Sequence, residues 1–157
     1  MDHARKFLMT WVEWKTVVEC EPMDSVNQWV YDWWLDRFPI RYIQSHVALT
    51  GAVINAMNVL LPETQPSPGD RKLHTIRFPD AEPGWGKFSY NARGGLSGGR
   101  LGAVAVVYGR VLEDMNNYFC FKVVDRDLPT LLQIGPRVWQ ELCTTKQIVT
   151  VELRVKQ

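Results

Sequence analysis

The sequence predicts a single-domain α+β fold, with two consecutive helices packed on a mainly antiparallel β-sheet. Three observations predict it. Residues 24–38 carry apolar side chains at helical spacing. Residues 42–61 contain no Asp, Glu, Lys or Arg. Both ends of the chain alternate polar with apolar residues. At 157 residues and 46% apolar composition, the chain can bury a sizeable core as one unit.

Residues 7–20 read as one long strand. Leu8, Val12, Trp14, Val18 and Cys20 fall on one face, and Glu13, Lys15 and Glu19 on the other. Glu21-Pro22 ends it. The first helix starts near Asp24-Ser25, where Ser25 and Gln28 fit a capping box. Val26, Trp29, Val30, Trp33 and Trp34 then recur at i, i+3, i+4, i+7 and i+8, a core-facing stripe. Phe38-Pro39 stops the helix, because proline lacks the amide hydrogen and disfavours a helical residue before it. The second helix is expected over residues 40–61, with Ile43, Val47, Ile54, Met57 and Leu61 as its main stripe. Gly51 inside it would cost about 1 kcal/mol relative to Ala. The uncharged run is long enough to span a membrane, but Gln44, Ser45, His46, Thr50, Asn55 and Asn58 interrupt it, so a buried core helix is expected.

Residues 62–70, PETQPSPGD, form an exposed Pro-rich loop. Short strands are expected at 72–78 and 87–90, on either side of a loop that carries Trp85. Residues 93–102, RGGLSGGRLG, form a Gly-rich loop. Residues 101–112 are apolar on both faces, as a central strand requires. Asn116-Asn117 suits a turn, with residues 118–124 returning as the antiparallel partner. A short helix is expected over residues 136–143, with Pro136 at its first position. A last strand, 147–156, turns Val149, Val151, Leu153 and Val155 inward.

Formal net charge is +1, which argues neither for nor against a nucleic-acid partner. Its distribution is uneven. Residues 1–40 carry four basic side chains against seven acidic ones, and residues 71–110 carry seven against two. Such asymmetry suits contact with phosphate or with another subunit. Cys20, Cys120 and Cys143 are too scattered for a zinc site or a disulfide framework, so buried free thiols and a reducing, intracellular setting are expected. The opening MDHARKFLMTWVEWK reaches Glu13 and Lys15 before an apolar core develops, so no signal peptide is expected.

Gly94 and Gly99 have the GxxxxG spacing of a phosphate-binding loop. Arg100, Leu101 and a strand follow them, where that loop needs Lys, Ser or Thr and a helix. His3, His46 and His74 could act as general bases only beside a nucleophile or carboxylate, and His46 and His74 have no local Ser or Cys partner in a recognisable arrangement. No catalytic residue, cofactor or metal is expected. Contacts to a membrane, a phosphate or a partner are assigned to Arg71, Lys72, Arg77, Trp85, Lys87, Arg93 and Arg100. These are cations of the basic middle, together with a Trp that no periodic pattern buries.

The strand FLMTWVEWKTVVECEP, the helix DSVNQWVYDWWLDRF, a second apolar helix to VLLP, a loop, and antiparallel strands with a late helix follow one another. In that order of elements the chain resembles the rhabdovirus-type matrix proteins. The resemblance covers roughly residues 7–152. It implies a non-enzymatic structural protein that self-associates, coats the inner face of an anionic membrane and binds a viral nucleoprotein–RNA complex. It implies a host-cytoplasmic or virion location and no small-molecule substrate. The chain departs from the family in having only Arg5 and Lys6 before the first strand and no PPxY motif. Membrane contact then falls to the basic middle, where each Lys or Arg near an anionic surface is worth about 1 kcal/mol.

Two alternatives stand beside it. One is a nucleic-acid-binding protein such as a viral silencing suppressor, holding phosphates with the same cations. The other is a small enzyme or ligand-binding β module with its site near the 101–127 hairpin, at Asp125, Asp127 and Tyr118.

Overall fold

The computed structural model describes residues 4–46, 50–65, 71–89 and 100–157, with Asn58 described by its backbone only. His3, Arg93, most of the Gly-rich segment and the end of the Pro-rich segment lie outside the described residues.

The chain builds a nearly closed barrel of antiparallel strands, not two helices on a sheet. β1 (Phe7–Trp11) and β2 (Thr16–Pro22) form a hairpin, in register from Phe7 opposite Cys20 to Trp11 opposite Thr16. The expected single strand is therefore two. The buried set is Phe7, Met9 and Trp11 before the turn, but Val18 and Cys20 after it. That change from odd to even numbering follows from the register, which pairs odd positions with even ones, Phe7 with Cys20 and Met9 with Val18. Lys15 makes the turn at φ 48°.

α1 (Gln28–Leu35) forms close to where it is expected. Asp24, rather than Ser25, accepts the free amides of Val26 and Asn27, at 2.8 and 3.3 Å. Val30, Tyr31, Trp34 and Leu35 are buried, whereas Val26 of the expected stripe is 47% exposed.

The described residues between 40 and 61 form no helix of the expected kind and fold as β3 (Ile40–Ile43), β4 (Ser45–His46) and β5 (Gly51–Leu60); Val47 of the expected stripe lies outside the described residues. In β3, Ile40 and Tyr42 point inward while Arg41 and Ile43 point out. In β5 both faces are covered at Val53–Ala56, because one faces the barrel interior and the other a second apolar cluster. A strand buried on both faces loses its alternation, and β-branched Val and Ile then favour the strand. Gly51 starts β5 at φ +100°, where a Cβ would lie 2.5 Å from the Arg110 carbonyl oxygen. It is a strand-entry glycine, not a helix-contact glycine.

The main sheet runs β3-β11-β1-β2-β10-β7-β8-β5-β4, where β7 is Trp85–Phe88, β8 Leu101–Val111, β10 Phe121–Val123 and β11 Thr150–Val155, every neighbouring pair antiparallel. Its two edge strands are consecutive in sequence and separated by Gln44 alone. Residues 40–46 thus act as one bent strand, pairing on one side with β11 (Thr150–Val155) and on the other with β5.

β8 (Leu101–Val111) is the expected central strand, between β7 (Trp85–Phe88) and β5. Its expected hairpin partner is not. β10 (Phe121–Val123) pairs with β2 and β7 instead. Asn116–Asn117, expected as a turn, is a short strand, β9, paired with β6 (Ile76–Arg77) in a separate ribbon. α2 (Leu128–Gln140) begins well before the expected Pro136, which lies inside it, and runs on into a π-helical turn at Glu141–Thr145. Pro129, in the first turn, is the proline that marks its start.

The helices close opposite ends of the barrel. Trp34 of α1 stacks on Phe88 with centroids 4.7 Å apart and planes 9° apart, at the end where β1 and β8 begin. α2 packs Leu131, Ile134 and Val138 into the same core from the other end, with Gly135 against the Tyr108 ring. Cys20 and Cys120 are buried thiols, while Cys143, expected inside, is exposed. Among the described residues no helix is long and apolar enough to cross a membrane.

Candidate functional site

The outer face of β7, β8 and β5 carries a row of three neighbouring residues: Lys87, Ala105 and Asn55. Because side chains alternate along a strand, all three point away from the barrel core. A second apolar cluster of Val53, Phe78, Val107, Val111 and Phe119 lies on this face. Phe78 opens a 3-10 turn, Phe78–Asp80, held over the sheet by its amide donating to the Met115 carbonyl at 2.7 Å. Between this cover and the sheet lies a cleft of about 340 Å³.

Its walls are mostly apolar: Val53, Met57, Phe78, Ala105 and Met115. Its polar groups come from Thr50, Asn55, Lys87, Glu113 and Asn117. Asn55 and Asn117 are themselves 7% and 5% exposed. Lys87 donates from Nζ to Asn117 Oδ1 at 2.9 Å and lies 5.6 Å from the Tyr118 ring centroid. Among the described residues no carboxylate forms an ion pair with it. Burial pushes its pKa below the usual lysine value, and the negative charge of Glu113 only partly offsets that. An apolar cleft with a few convergent polar groups and a perturbed amine has the character of a binding site.

A smaller opening of about 210 Å³ lies at the α2 end, between His46, Tyr108 and Trp139. His46 Nε2 and the Tyr108 hydroxyl are 2.6 Å apart, and the Trp139 ring centroid lies 4.9 Å from that of His46. Among the described residues no three of His, Cys, Asp and Glu come together as metal ligands.

The residues expected to make contacts are spread among different partners. Lys87 lines the large cleft. Trp85 is half-buried against Phe119, 5.7 Å between centroids. Arg77 pairs with Asp114 at 3.1 Å. The Arg71 guanidinium lies 5.1 Å from the Trp29 ring, and the neighbouring Lys72 carbonyl accepts from Trp29 Nε1. Arg100 donates to the Leu61 carbonyl at the end of β5. Asp125, Asp127 and Tyr118 do not line the cleft. Asp127 caps the Glu19 amide at 2.8 Å, and Asp125 is exposed. The sequence marks Asn55 only as a polar break in the uncharged run and Asn117 only as part of a turn, and it gives neither them nor Glu113 a place in a site. The readable signal was an Asn inside an apolar strand, which wants a reason for being there.

No family model matches the sequence, and no curated protein matches it. The fold is similar to that of McbB, whose structure is known in complex with tryptophan. The TM-score is 0.74 at 19% identity, over 96% of this chain and 44% of that one. The chain thus spans less than half the length of McbB.

Proposed function

We propose that the chain is a ligand-binding β-barrel module whose cleft holds a small apolar molecule bearing a carboxylate and an amine. The observation that carries this reading is Lys87, an amine held in an apolar cleft with no carboxylate paired to it among the described residues. A ligand carboxylate would complete it, and Glu113 on the same cleft would take a ligand ammonium. An α-amino acid with an apolar side chain has both groups, and the tryptophan bound to McbB has that chemistry. The matrix-protein expectation finds no support in the fold or in the comparisons, and the β-module alternative fits both better. Its site moves from Asp125, Asp127 and Tyr118 to the outer face of β5, β7 and β8.

Calorimetric titration with L-tryptophan, L-leucine, tryptamine and indole-3-propionate tests the reading. The amino acids should bind, and tryptamine, lacking the carboxylate, should bind at least tenfold more weakly. Lys87→Met should abolish that preference, and Glu113→Gln should weaken the amino acids but not indole-3-propionate. Equal binding of all four by wild type and Lys87→Met, or binding of none, would overturn it.

A further inference from the structure

Three arginines from separate parts of the chain meet at the far end of β5. Arg37 follows α1, Arg41 is on β3 and Arg100 precedes β8. Together they line an opening of about 290 Å³ whose remaining wall is apolar, with Ile40, Leu60 and Pro62.

Arg100 is held in place twice. Its carbonyl accepts the Leu61 amide at 2.8 Å, and its Nε donates back to the Leu61 carbonyl at 3.0 Å. Its two terminal amino groups have no partner among the described residues, and no carboxylate pairs with it there. Arg37 is likewise fixed. Its guanidinium lies 3.7 Å from the Trp33 ring centroid, Nη1 donates to the Trp33 carbonyl and Nη2 faces Glu63. Its Nε is buried with no partner among the described residues. Arg41 uses Nε on Glu152 at 2.7 Å, but Glu152 is shared with Arg154 at 3.1 Å. Among the described residues four guanidiniums therefore face two carboxylates, Glu63 and Glu152, and the surplus is positive.

We propose that this opening is a second binding site, specific for a phosphate group, independent of the Lys87 cleft. A guanidinium is a planar fork that grips two oxygens of an oxyanion at once. A planar carboxylate offers about four acceptor sites, all in one plane, and two forks fill them. Three guanidiniums arriving from three elements suit a tetrahedral group with three free oxygens. Two of the three are already immobilised by stacking and backbone bonds, so less side-chain entropy is lost on binding. The apolar wall lowers the local dielectric and strengthens each contact.

The test is calorimetric titration of the full chain with inorganic phosphate, phenyl phosphate and acetate at low salt. Both phosphates should bind at least tenfold more tightly than acetate. Arg100→Gln should weaken them at least tenfold, Arg41→Gln less, and Lys72→Gln not at all. Arg100→Lys keeps the charge without the fork and should fall in between. Thermal melting of each variant shows that it is folded. Flotation with phosphatidic acid and phosphatidylcholine vesicles separates the sources of the group. Binding to phosphatidic acid alone, lost in Arg100→Gln, assigns a lipid headgroup. Binding of the soluble phosphates without flotation assigns a small phosphate ester. The proposal is overturned if acetate binds as well as phosphate, or if folded Arg100→Gln and Arg41→Gln bind phosphate like the wild type.

Discussion

Trp11 donates its indole N–H to Gln44 Oε1 at 3.1 Å, inside the protein and at the seam where the barrel closes. The Gln44 amide nitrogen donates in turn to the Asn55 carbonyl on β5 at 2.9 Å, while its backbone N–H donates to the Val149 carbonyl at 2.8 Å. One side chain thus satisfies groups on both sides of the seam. Gln44→Leu keeps the volume and the backbone bond but leaves the Trp11 N–H unpaired in the core. An orphaned buried group costs roughly 1–3 kcal/mol, so the loss should be about 2–3 kcal/mol. Urea unfolding measures it. A loss below 0.5 kcal/mol, within the ordinary scatter of surface substitutions, would mean the seam does not depend on this side chain.

Gly135 is the point where α2 presses on β8. A Cβ there would meet the Tyr108 ring at 2.3 Å. The ring cannot easily withdraw, because its hydroxyl is tied to His46 at 2.6 Å. Gly135→Ala gains about 1 kcal/mol of helix propensity. Overpacking of a filled core typically costs about 1–3 kcal/mol. The net effect should be destabilising, and the same substitution should turn neutral or stabilising in a Tyr108→Ala background. A double-mutant cycle by thermal unfolding decides it, and additivity of the two changes would sink the contact argument.

The same contacts explain what the sequence made legible. α1 and β11 announce themselves because each keeps one period, and β8 because it is apolar on both faces; over residues 7–20 the strand character is legible, but neither the turn nor the buried face of β1 is. Residues 40–61 do not announce themselves, because the barrel covers β5 on both faces and so removes the alternation that marks a strand. Val53, Ile54 and Val59 favoured a strand throughout, and Gly51 and Asn55 argued against a helix. The absence of charge over residues 42–61 signals burial and does not distinguish a helix from a strand. The Lys87 cleft was half legible. Lys87 stands out by its charge, but its hydrogen-bond partner Asn117 and the cleft residue Asn55 come from strands far apart in the chain. That juxtaposition depends on register, which no local pattern records.

Glu19 joins three distant segments of the chain. Its carboxylate, 4% exposed as a residue, accepts from Lys156 at 2.6 Å and from Arg126, and pairs with Lys6 at 3.2 Å. The bond from Lys156, helped by Lys6, holds its pKa below the usual 4.5 although burial works against it. A depressed carboxyl contributes stability above its unfolded value and loses it as pH falls through the folded one. Glu19→Gln should therefore cost about 2 kcal/mol at pH 7, the scale of a lost charge-assisted bond. The gap between variant and wild type should close below pH 4. Urea midpoints from pH 3 to 7 give the answer, and a gap that stays constant over that range would refute the assignment.

Lys87 has the opposite sign of dependence. Its folded pKa lies below the unfolded value of 10.5, because the cleft strips water from the charged amine. Between the two values the unfolded chain binds more protons than the folded one, so stability rises with pH across that window. Below it, the charged amine in the cleft is a constant burden. Lys87→Met preserves length without charge, and its stability should lack this rise. The wild type should therefore gain on the variant as pH rises from the folded pKa of Lys87 toward 10.5, read as a growing difference in urea midpoint. A bound carboxylate reverses the balance, since an adjacent negative charge favours the protonated amine. Affinity for an apolar amino acid should then be greatest below the folded pKa of Lys87 and fall as pH rises through it. A difference in midpoint that does not change with pH would mean that Lys87 is solvated like a surface lysine, and the cleft would lose the group that gives it a preference for carboxylates.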